Sequence, residues 1–184
     1  MSDFRAISGV TKSLGALLKN STGIDVETGK APSEEIPDVK PLIHIYLYRV
    51  EHNQFWSNND EVLSSSTVLK TQPVGLNLFY LITPYGSGQL DIQVTMGEVI
   101  RVLNDEASIP PAFYDASLTN MVEDLKVIPH LLTLDQVTEL SRVFGQRHYR
   151  LCMTYEVTVV LIDSTVRRTV TRVEERHVDM RQMR

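Results

Sequence analysis

Few residues of this chain have types and spacings that could do chemistry, and the clearest candidate is a pair of glycines. The segment "YGSGQ", residues 85–89, places a Gly-x-Gly between a predicted strand and a predicted helix. Backbone N–H groups in that context can bind phosphate. The third glycine of the dinucleotide-binding fingerprint is missing, however. A tight strand-to-helix turn therefore explains the segment better than a nucleotide site.

The histidines and the single cysteine form no recognisable catalytic or metal-binding pattern. No histidine has a metal-ligand spacing to another histidine, to the cysteine or to a carboxylate on one helix face. Cys152 lies in an apolar predicted strand, where a buried structural thiol is the better interpretation. We therefore predict a protein without enzymatic activity, with no catalytic, cofactor-binding or metal-binding residues. The five histidines are His44, His52, His130, His148 and His177.

The last twenty residues, 165–184, are unusual in charge and composition. They read "TVRRTVTRVEERHVDMRQMR" and hold six arginines against three acidic residues, whereas the whole chain has a net charge of −5. Threonine and valine favour an extended strand, and the arginines would keep it soluble and attract acidic neighbours. We call residues 165–184 the arm. The arm residues predicted to form an interface are Thr165, Val166, Arg167, Arg168, Val170, Arg172, Val173 and Arg176.

The composition is that of one ordinary globular domain with additional terminal segments. The chain has 184 residues, of which 42% are hydrophobic and 22% charged. Its negative net charge argues against general nucleic-acid binding, and one cysteine favours a reducing, cytoplasmic compartment. The N-terminal residues lack the apolar run of a signal peptide. No apolar run approaches the length of a membrane span.

The hydrophobic periodicity predicts alternating helices and strands. Phe4 begins a helical pattern that ends near Asn20, and residues 21–41, rich in Gly, Pro, Ser and acid, predict a long loop. The segment 76–86 is apolar on both faces and is therefore predicted to be a central strand. A capping box at Thr133 begins a third helix. The remaining predicted elements are strands at 42–50, within 121–129 and at 149–163, a short strand near 66–72, and a helix ending at Asn104–Asp105.

This order of elements predicts an α+β fold. We expect a single small domain with a mixed or antiparallel sheet of about four strands flanked by about three helices, which pack on one face. The domain is predicted to span residues 1–164, with the long loop at 21–41. The arm at 165–184 follows it as a basic, β-prone extension.

Three stretches together resemble a known family. They are "LNLFYLITPYG" (76–86), "MGEVIRVLNDEASIPP" (96–111) and "LSRVFGQRHYRLCMTYEVTVVLID" (140–163). In order and spacing they are similar to the N-terminal domain of cap, or tail-terminator, proteins of phage-tail-like extracellular contractile injection systems. The antifeeding prophage and the Photorhabdus virulence cassettes carry such proteins. The sequence departs from the family at Cys152, where a serine is expected, and many members continue into a further C-terminal domain.

The resemblance implies a structural role and a set of partners. Family members form a hexameric ring on the distal end of the tube and sheath, where the ring ends polymerisation and stabilises the extended sheath. The resemblance also implies the fold of phage tail terminators, with no nucleic-acid, membrane or small-molecule partner. The implied location is the bacterial cytoplasm during assembly and then a phage-tail-like particle. The open alternatives are a phage tail-completion or other tail-adaptor protein and a small enzyme or ligand-binding module with a pocket lined by His44, His130 or His148.

The arm is the first candidate for the joint between subunits. We hypothesise that residues 165–178 pair with a strand of the neighbouring cap subunit or of the terminal sheath subunit, because an open sheet edge accepts another strand. The alternative is that the last long strand continues in its own sheet and the final residues fray. The segment 21–41 is the second interface candidate. The apolar faces of the first two helices are predicted to be core.

Overall fold

The computed structural model describes residues 4–30, 40–56, 62–65, 68–118, 124–144 and 150–169. These ranges contain three α-helices, eight strands and short 3-10 turns. The helices are α1 (Ala6–Thr22), α2 (Gln89–Asp105) and α3 (Leu134–Val143). The strands are β1 (Asp25–Thr28), β2 (Leu42–His52), β3 (Val62–Ser65), β4 (Val68–Lys70), β5 (Val74–Tyr85), β6 (Lys126–Pro129), β7 (Met153–Ile162) and β8 (Arg167–Thr169).

The main sheet has five strands in the order β1-β2-β5-β7-β6. The strands β1 and β2 are parallel, and all other neighbours are antiparallel. Of the two predicted alternatives, a mixed or an antiparallel sheet, the sheet is mixed, and β5 is its central strand. The additional strand, β1, lies inside the segment predicted to be a long loop at 21–41. Its sequence "DVET" has one apolar residue, so β1 forms because it pairs with β2 and not because of its own pattern.

Helix α1 begins and ends close to its predicted limits. It runs two residues past Asn20 to Thr22, and Gly23 follows with φ of +70°. The Gly23 N–H donates to the Lys19 carbonyl at 3.0 Å, which satisfies a C-terminal carbonyl that the helix itself leaves free. Its inner face is fully buried at Val10, Leu14 and Leu18.

The helices cover both faces of the main sheet. Helices α1 and α2 pack on the face that carries Ile45, Leu78 and Tyr80, and together they form the core. On the opposite face, the Phe144 ring at the end of α3 contacts the Tyr46 ring at 5.0 Å. The expectation that all helices pack on one face was therefore wrong for α3. Because the strands β2 and β5 are apolar on both faces, each face needs a cover.

The limits of α2 and α3 agree with the sequence patterns, but α3 is less buried than its pattern predicts. Helix α2 ends at Asp105 as predicted. In α3, Thr133 and Gln136 form the predicted capping box. None of the α3 residues is buried, however, and Val143 on its apolar side is 79% exposed. The predicted end at Gly145 lies outside the described residues.

A second, small sheet has the order β3-β4-β8. It lies where the N-terminal end of β5 meets the C-terminal end of β7, because β4 precedes β5 and β8 follows β7. The pairing of Val74 with Ile162 marks that end of the main sheet. The small sheet contains the first residues of the arm.

Candidate functional site

The described part of the arm, residues 165–169, is separate from the main sheet and contributes β8 to the small one. There β8 pairs antiparallel with β4, so that Arg167 lies opposite Lys70 and Arg168 opposite Leu69. The first arm residues therefore pair within their own chain, in a separate sheet from β7. This pairing occupies only one edge of β8.

Polar contacts fix the start of the arm. The Lys70 ammonium lies 2.9 Å from the Asp163 carboxylate, and both side chains are about one-fifth exposed. Lys70 also lies opposite Arg167, and two like charges across a strand pair repel each other. The Asp163 carboxylate offsets that repulsion. The Val166 N–H donates to Ser164 Oγ at 3.1 Å, which holds the turn between β7 and β8.

The outer edge of β8 is free of any partner strand in the part of the chain that the structure describes, since β8 is an end strand of its sheet. All residues from Thr165 to Thr169 are exposed, and Val166 is 62% exposed. Such an edge presents unpaired N–H and C=O groups to another strand. The other predicted interface residues, Val170, Arg172, Val173 and Arg176, lie outside the described residues. Pairing of the arm with another subunit stays a prediction.

A polar triad that the sequence did not reveal joins β5 to β7 and supports the end of the main sheet from which β8 emerges. The Asn77 side-chain oxygen on β5 accepts hydrogen bonds from Asn53 Nδ2 and from Thr158 Oγ1, both at 2.9 Å. Asn53 is buried and also caps the following turn, because its side-chain oxygen accepts from the Phe55 N–H. These residues are 24 and 81 positions apart from Asn77, so no local pattern could have paired them.

Close packing of Trp56 on Gly75 completes this support. A Cβ atom at position 75 would lie 2.6 Å from the Trp56 Cβ. Only glycine leaves room for the indole at this start of β5. A cavity of about 250 Å³ between Trp56, Pro73 and His52 borders the same contact.

The second interface candidate, segment 21–41, contains an open strand edge. In the described residues, β1 is an end strand of the main sheet. Its Val26 and Thr28 side chains face Gly15 of α1, so Asp25 and Glu27 point to the other face. Lys19 pairs with Asp25, and Lys30 pairs with Glu27. Residues 31–39 lie outside the described ranges.

The Asp91 carboxylate lies against the strand-to-helix turn of residues 85–89. Gly88 is the N-cap of α2, and Ser87 Oγ donates to Asp91 Oδ2 at 2.9 Å. Asp91 in the first helical turn supplies the negative charge that a helix N-terminus favours. This geometry supports the interpretation of the segment as a tight turn.

The described histidines lie apart from one another. His44 is buried on β2, whereas His130 packs its ring on Phe79 at 4.8 Å. His148 lies outside the described residues. Among the described residues, no group of three or more His, Cys, Asp or Glu side chains could hold a metal ion. Burial raises the pKa of the Cys152 thiol to about 11, so the reactive thiolate is scarce near neutral pH.

An open cavity of about 510 Å³ lies between α1 and the strands β1 and β2. Phe4, Ile7 and Leu47 supply apolar lining, and Lys12 supplies the charge. Neither His44 nor His130, the two histidines considered for a ligand pocket that the structure describes, lines it. A much smaller cavity of about 110 Å³ borders His130 and Cys152.

His44 gives the domain a predicted sensitivity to acid. It is fully buried, and neither ring nitrogen makes a hydrogen bond within the described residues. This burial lowers the His44 pKa from 6.5, although the nearby Glu27 carboxylate opposes the shift. His44 therefore binds a proton more tightly in the unfolded chain than in the folded chain. The contribution of neutral His44 to the free energy of unfolding is fully present above pH 6.5. It is lost as the pH falls below 6.5, by at most about 1.4 kcal/mol per pH unit.

Urea unfolding at a series of pH values measures this decline. His44→Leu is expected to remove it, because leucine takes no proton. The matched control is His52→Gln at the exposed end of β2, which should retain the slope of the unmodified protein. An equal decline in the protein with and without His44 would contradict the assignment.

No helix in the described residues is both long and apolar enough to span a membrane.

The chain matches a known protein family. The family model of the Pvc16 N-terminal domain matches residues 9–176. Among curated proteins no match was found. The matched range covers both sheets, all three helices except the first turn of α1, and the first part of the arm.

Two solved structures share the fold. The first is the PVC sheath/tube terminator of an extracellular contractile injection system in the extended state, with a TM-score of 0.73 and 19% identity. The second is the tube-terminating cap of the anti-feeding prophage, with a TM-score of 0.68 and 18% identity. The alignments cover 97% and 93% of this chain. They cover 64% and 60% of the two solved chains, so this chain spans less than two thirds of their length.

Proposed function

Because this chain belongs to the Pvc16 N-terminal domain family, we propose that it is a tail-terminator cap of a contractile injection system. It forms a ring on the distal end of the tube and sheath, ends their polymerisation and stabilises the extended sheath. The observation that carries the proposal is the fold. Two terminators, one of sheath and tube and one of tube, share it over 97% and 93% of this chain.

Ring formation explains how such a protein can stop a helical polymer. A terminator must bind the last subunits and offer no surface for the next layer. Head-to-tail contacts that close after a full rotation give a ring that cannot extend sideways. One face of the ring then binds the last tube and sheath subunits, and the other face ends growth because it does not bind the next layer. We take the ring to be a homo-hexamer, with the terminal tube and sheath subunits as its partners.

The role we propose is structural and not enzymatic. The two solved relatives are terminators, and our proposal needs neither a cofactor nor a small-molecule substrate. We propose that the protein assembles in the bacterial cytoplasm and then remains in the particle. The support is that one solved relative is the sheath/tube terminator of an extracellular contractile injection system.

We propose further that the arm forms the joint between subunits, through Thr165–Arg168, Val170, Arg172, Val173 and Arg176. Its support is the open outer edge of β8 together with the concentration of arginines. An exposed edge with this charge adds to an edge of opposite charge.

Truncation of the arm is the test of this proposal. The full chain is expected to form hexamers by light scattering, whereas a chain cut after Asp163 should be monomeric. Because that cut also removes β8 from the small sheet, a second variant cut after Thr169 keeps β4 and β8 paired. Equal thermal unfolding of the second variant and the full chain would show that its fold is intact.

The same variants test capping. Particles assembled with the full chain should show sheath and tube of one length in electron micrographs. Particles with the chain cut after Asp163 should show a broad range of lengths. Uniform lengths in particles that lack the protein altogether would overturn the terminator function itself. Uniform lengths with both cut chains would overturn only the role of the arm.

A further inference from the structure

The open edges of β8 and β1 lie near opposite ends of the central strand β5. The strand β8 follows Ile162, which pairs with Val74 at the start of β5. The strand β1 flanks Leu42, which pairs with Tyr85 at the other end of β5. At 3.2–3.4 Å per residue, the two ends of this central strand are about 36 Å apart. While β8 is paired with β4, a chain therefore cannot pair its own β8 with its own β1.

The two edges carry opposite charges. Asp25 and Glu27 lie on the same face of β1, two residues apart. Arg167 and Arg168 are adjacent on β8 and point to opposite faces. Whichever way two such edges meet, one of the two arginines lies on the carboxylate face.

The lysines that pair with these carboxylates are poor competitors for them. Lys19 and Lys30 are each more than 60% exposed in their salt bridges. The Lys19–Asp25 pair, in which both side chains are mostly exposed, is therefore weak, whereas the Glu27 side chain is only 26% exposed. An arginine held on a paired strand loses less side-chain freedom and can replace them, since its guanidinium matches a carboxylate with two parallel hydrogen bonds.

We propose that the outer edge of β8 in one copy of this chain adds to the outer edge of β1 in the next copy, with Arg167 or Arg168 against Asp25 and Glu27. This proposal rests on the ring proposed above and names its joint. Because the outer edges of β8 and β1 are different surfaces at opposite ends of the molecule, the contact is head-to-tail and can close into a ring. It also assigns the two interface candidates, the arm and segment 21–41, as the two halves of one contact.

Charge reversal on each side separately, and then on both sides, tests the pairing. One variant carries Arg167→Glu and Arg168→Glu, and the other carries Asp25→Lys and Glu27→Lys. Each alone places like charges at the joint and should weaken association by about tenfold or more at low salt, as measured by light scattering over a concentration series. An equimolar mixture should reassemble, because both kinds of contact in it are again opposite in charge. A single chain with all four changes should assemble by itself.

Asp25→Lys alone provides a second variant on the β1 side of the contact. It carries little risk to the fold, since the Asp25 side chain is 75% exposed. Its unfolding temperature and that of the other variants should stay close to the value of the unmodified chain. The reversal Lys12→Glu, also at an exposed position but on α1, is the control and should leave association unchanged. Association that is indifferent to all reversals would overturn the β8–β1 joint and leave the ring standing.

A covalent trap decides the matter even where rings dissociate in dilute solution. Arg167→Lys and Arg168→Lys keep the charge and supply amines, and a carbodiimide then forms an amide only between an amine and a carboxylate in contact. Mixing isotope-labelled and unlabelled chains shows which links join two copies. We expect links from position 167 or 168 to Asp25 or Glu27 between copies. Links between copies at other positions, without this one, would refute the joint while supporting self-association.

Discussion

Replacing Gly9 with alanine is expected to destabilise the domain by about 2 kcal/mol, although alanine is the better helix former. Gly9 lies where α1 passes the short 3-10 turn Ala116–Leu118. A Cβ atom at this position would overlap Ser117 Oγ and lie 3.0 Å from Leu118 Cγ. Ser117 cannot simply move away, because its N–H and its hydroxyl both donate to Asp115. The added methyl group therefore breaks this contact or displaces the turn.

The same substitution on α2 supplies the control. Gly97 is exposed, and a Cβ atom there would meet nothing within 4 Å. Gly97→Ala should therefore stabilise the domain by up to about 1 kcal/mol through helix propensity alone. Denaturant unfolding of the two variants measures both effects. Stabilisation by both substitutions would mean that α1 and the turn are not in the contact described.

Residues that repeat with a regular period are placed correctly by the sequence. The buried positions Val10, Leu14 and Leu18 recur every four residues, and they fix both the helix and the face that it buries. The strand β5 is predicted to be central because it is apolar on both faces, and it has neighbours on both sides. A hydrophobic period is a local property, so it can be read without knowledge of the partner.

Elements whose stability comes from a distant partner are not predictable in this way. The strand β1 has no apolar alternation and exists because Asp25–Thr28 pair with Leu42–Ile45. The composition of the arm indicates a strand, but its pairing with Val68–Lys70 joins residues about a hundred positions apart. The capping box that locates helix α3 is local. Its side of the sheet depends on the contact between Phe144 and Tyr46, which is not local.

The candidate site shows the same division. Arginine content and β-propensity are local properties, and they suffice to identify Arg167 and Arg168 as part of an unusual edge. The charge of its proposed counterpart is visible in Asp25 and Glu27, but the open edge that carries them is not. The support at the end of the main sheet, Asn53 with Asn77 and Thr158, leaves no trace in composition or spacing.

Asn77→Ala is expected to remove that support and to cost about 2–3 kcal/mol of stability. Its side-chain oxygen is the shared acceptor for Asn53 Nδ2 and Thr158 Oγ1. The substitution therefore removes two hydrogen bonds at once, and each is worth about 1 kcal/mol net.

A double-mutant cycle between Asn77→Ala and Thr158→Val separates this network from simple loss of packing. If the two side chains act through one hydrogen bond, the double variant should lose less stability than the sum of the single variants. Asn104→Ala, at an exposed position on α2, should change stability by less than about 0.5 kcal/mol.

The effect of Asn77→Ala should also be local, because Asn77 joins β5 to β7 at the end of the sheet where β8 emerges. Amide hydrogen exchange should therefore accelerate at Gly75, Leu76 and Val160 before it changes at Ile82, whereas a uniform acceleration would show that the triad does not anchor this end of the main sheet in particular.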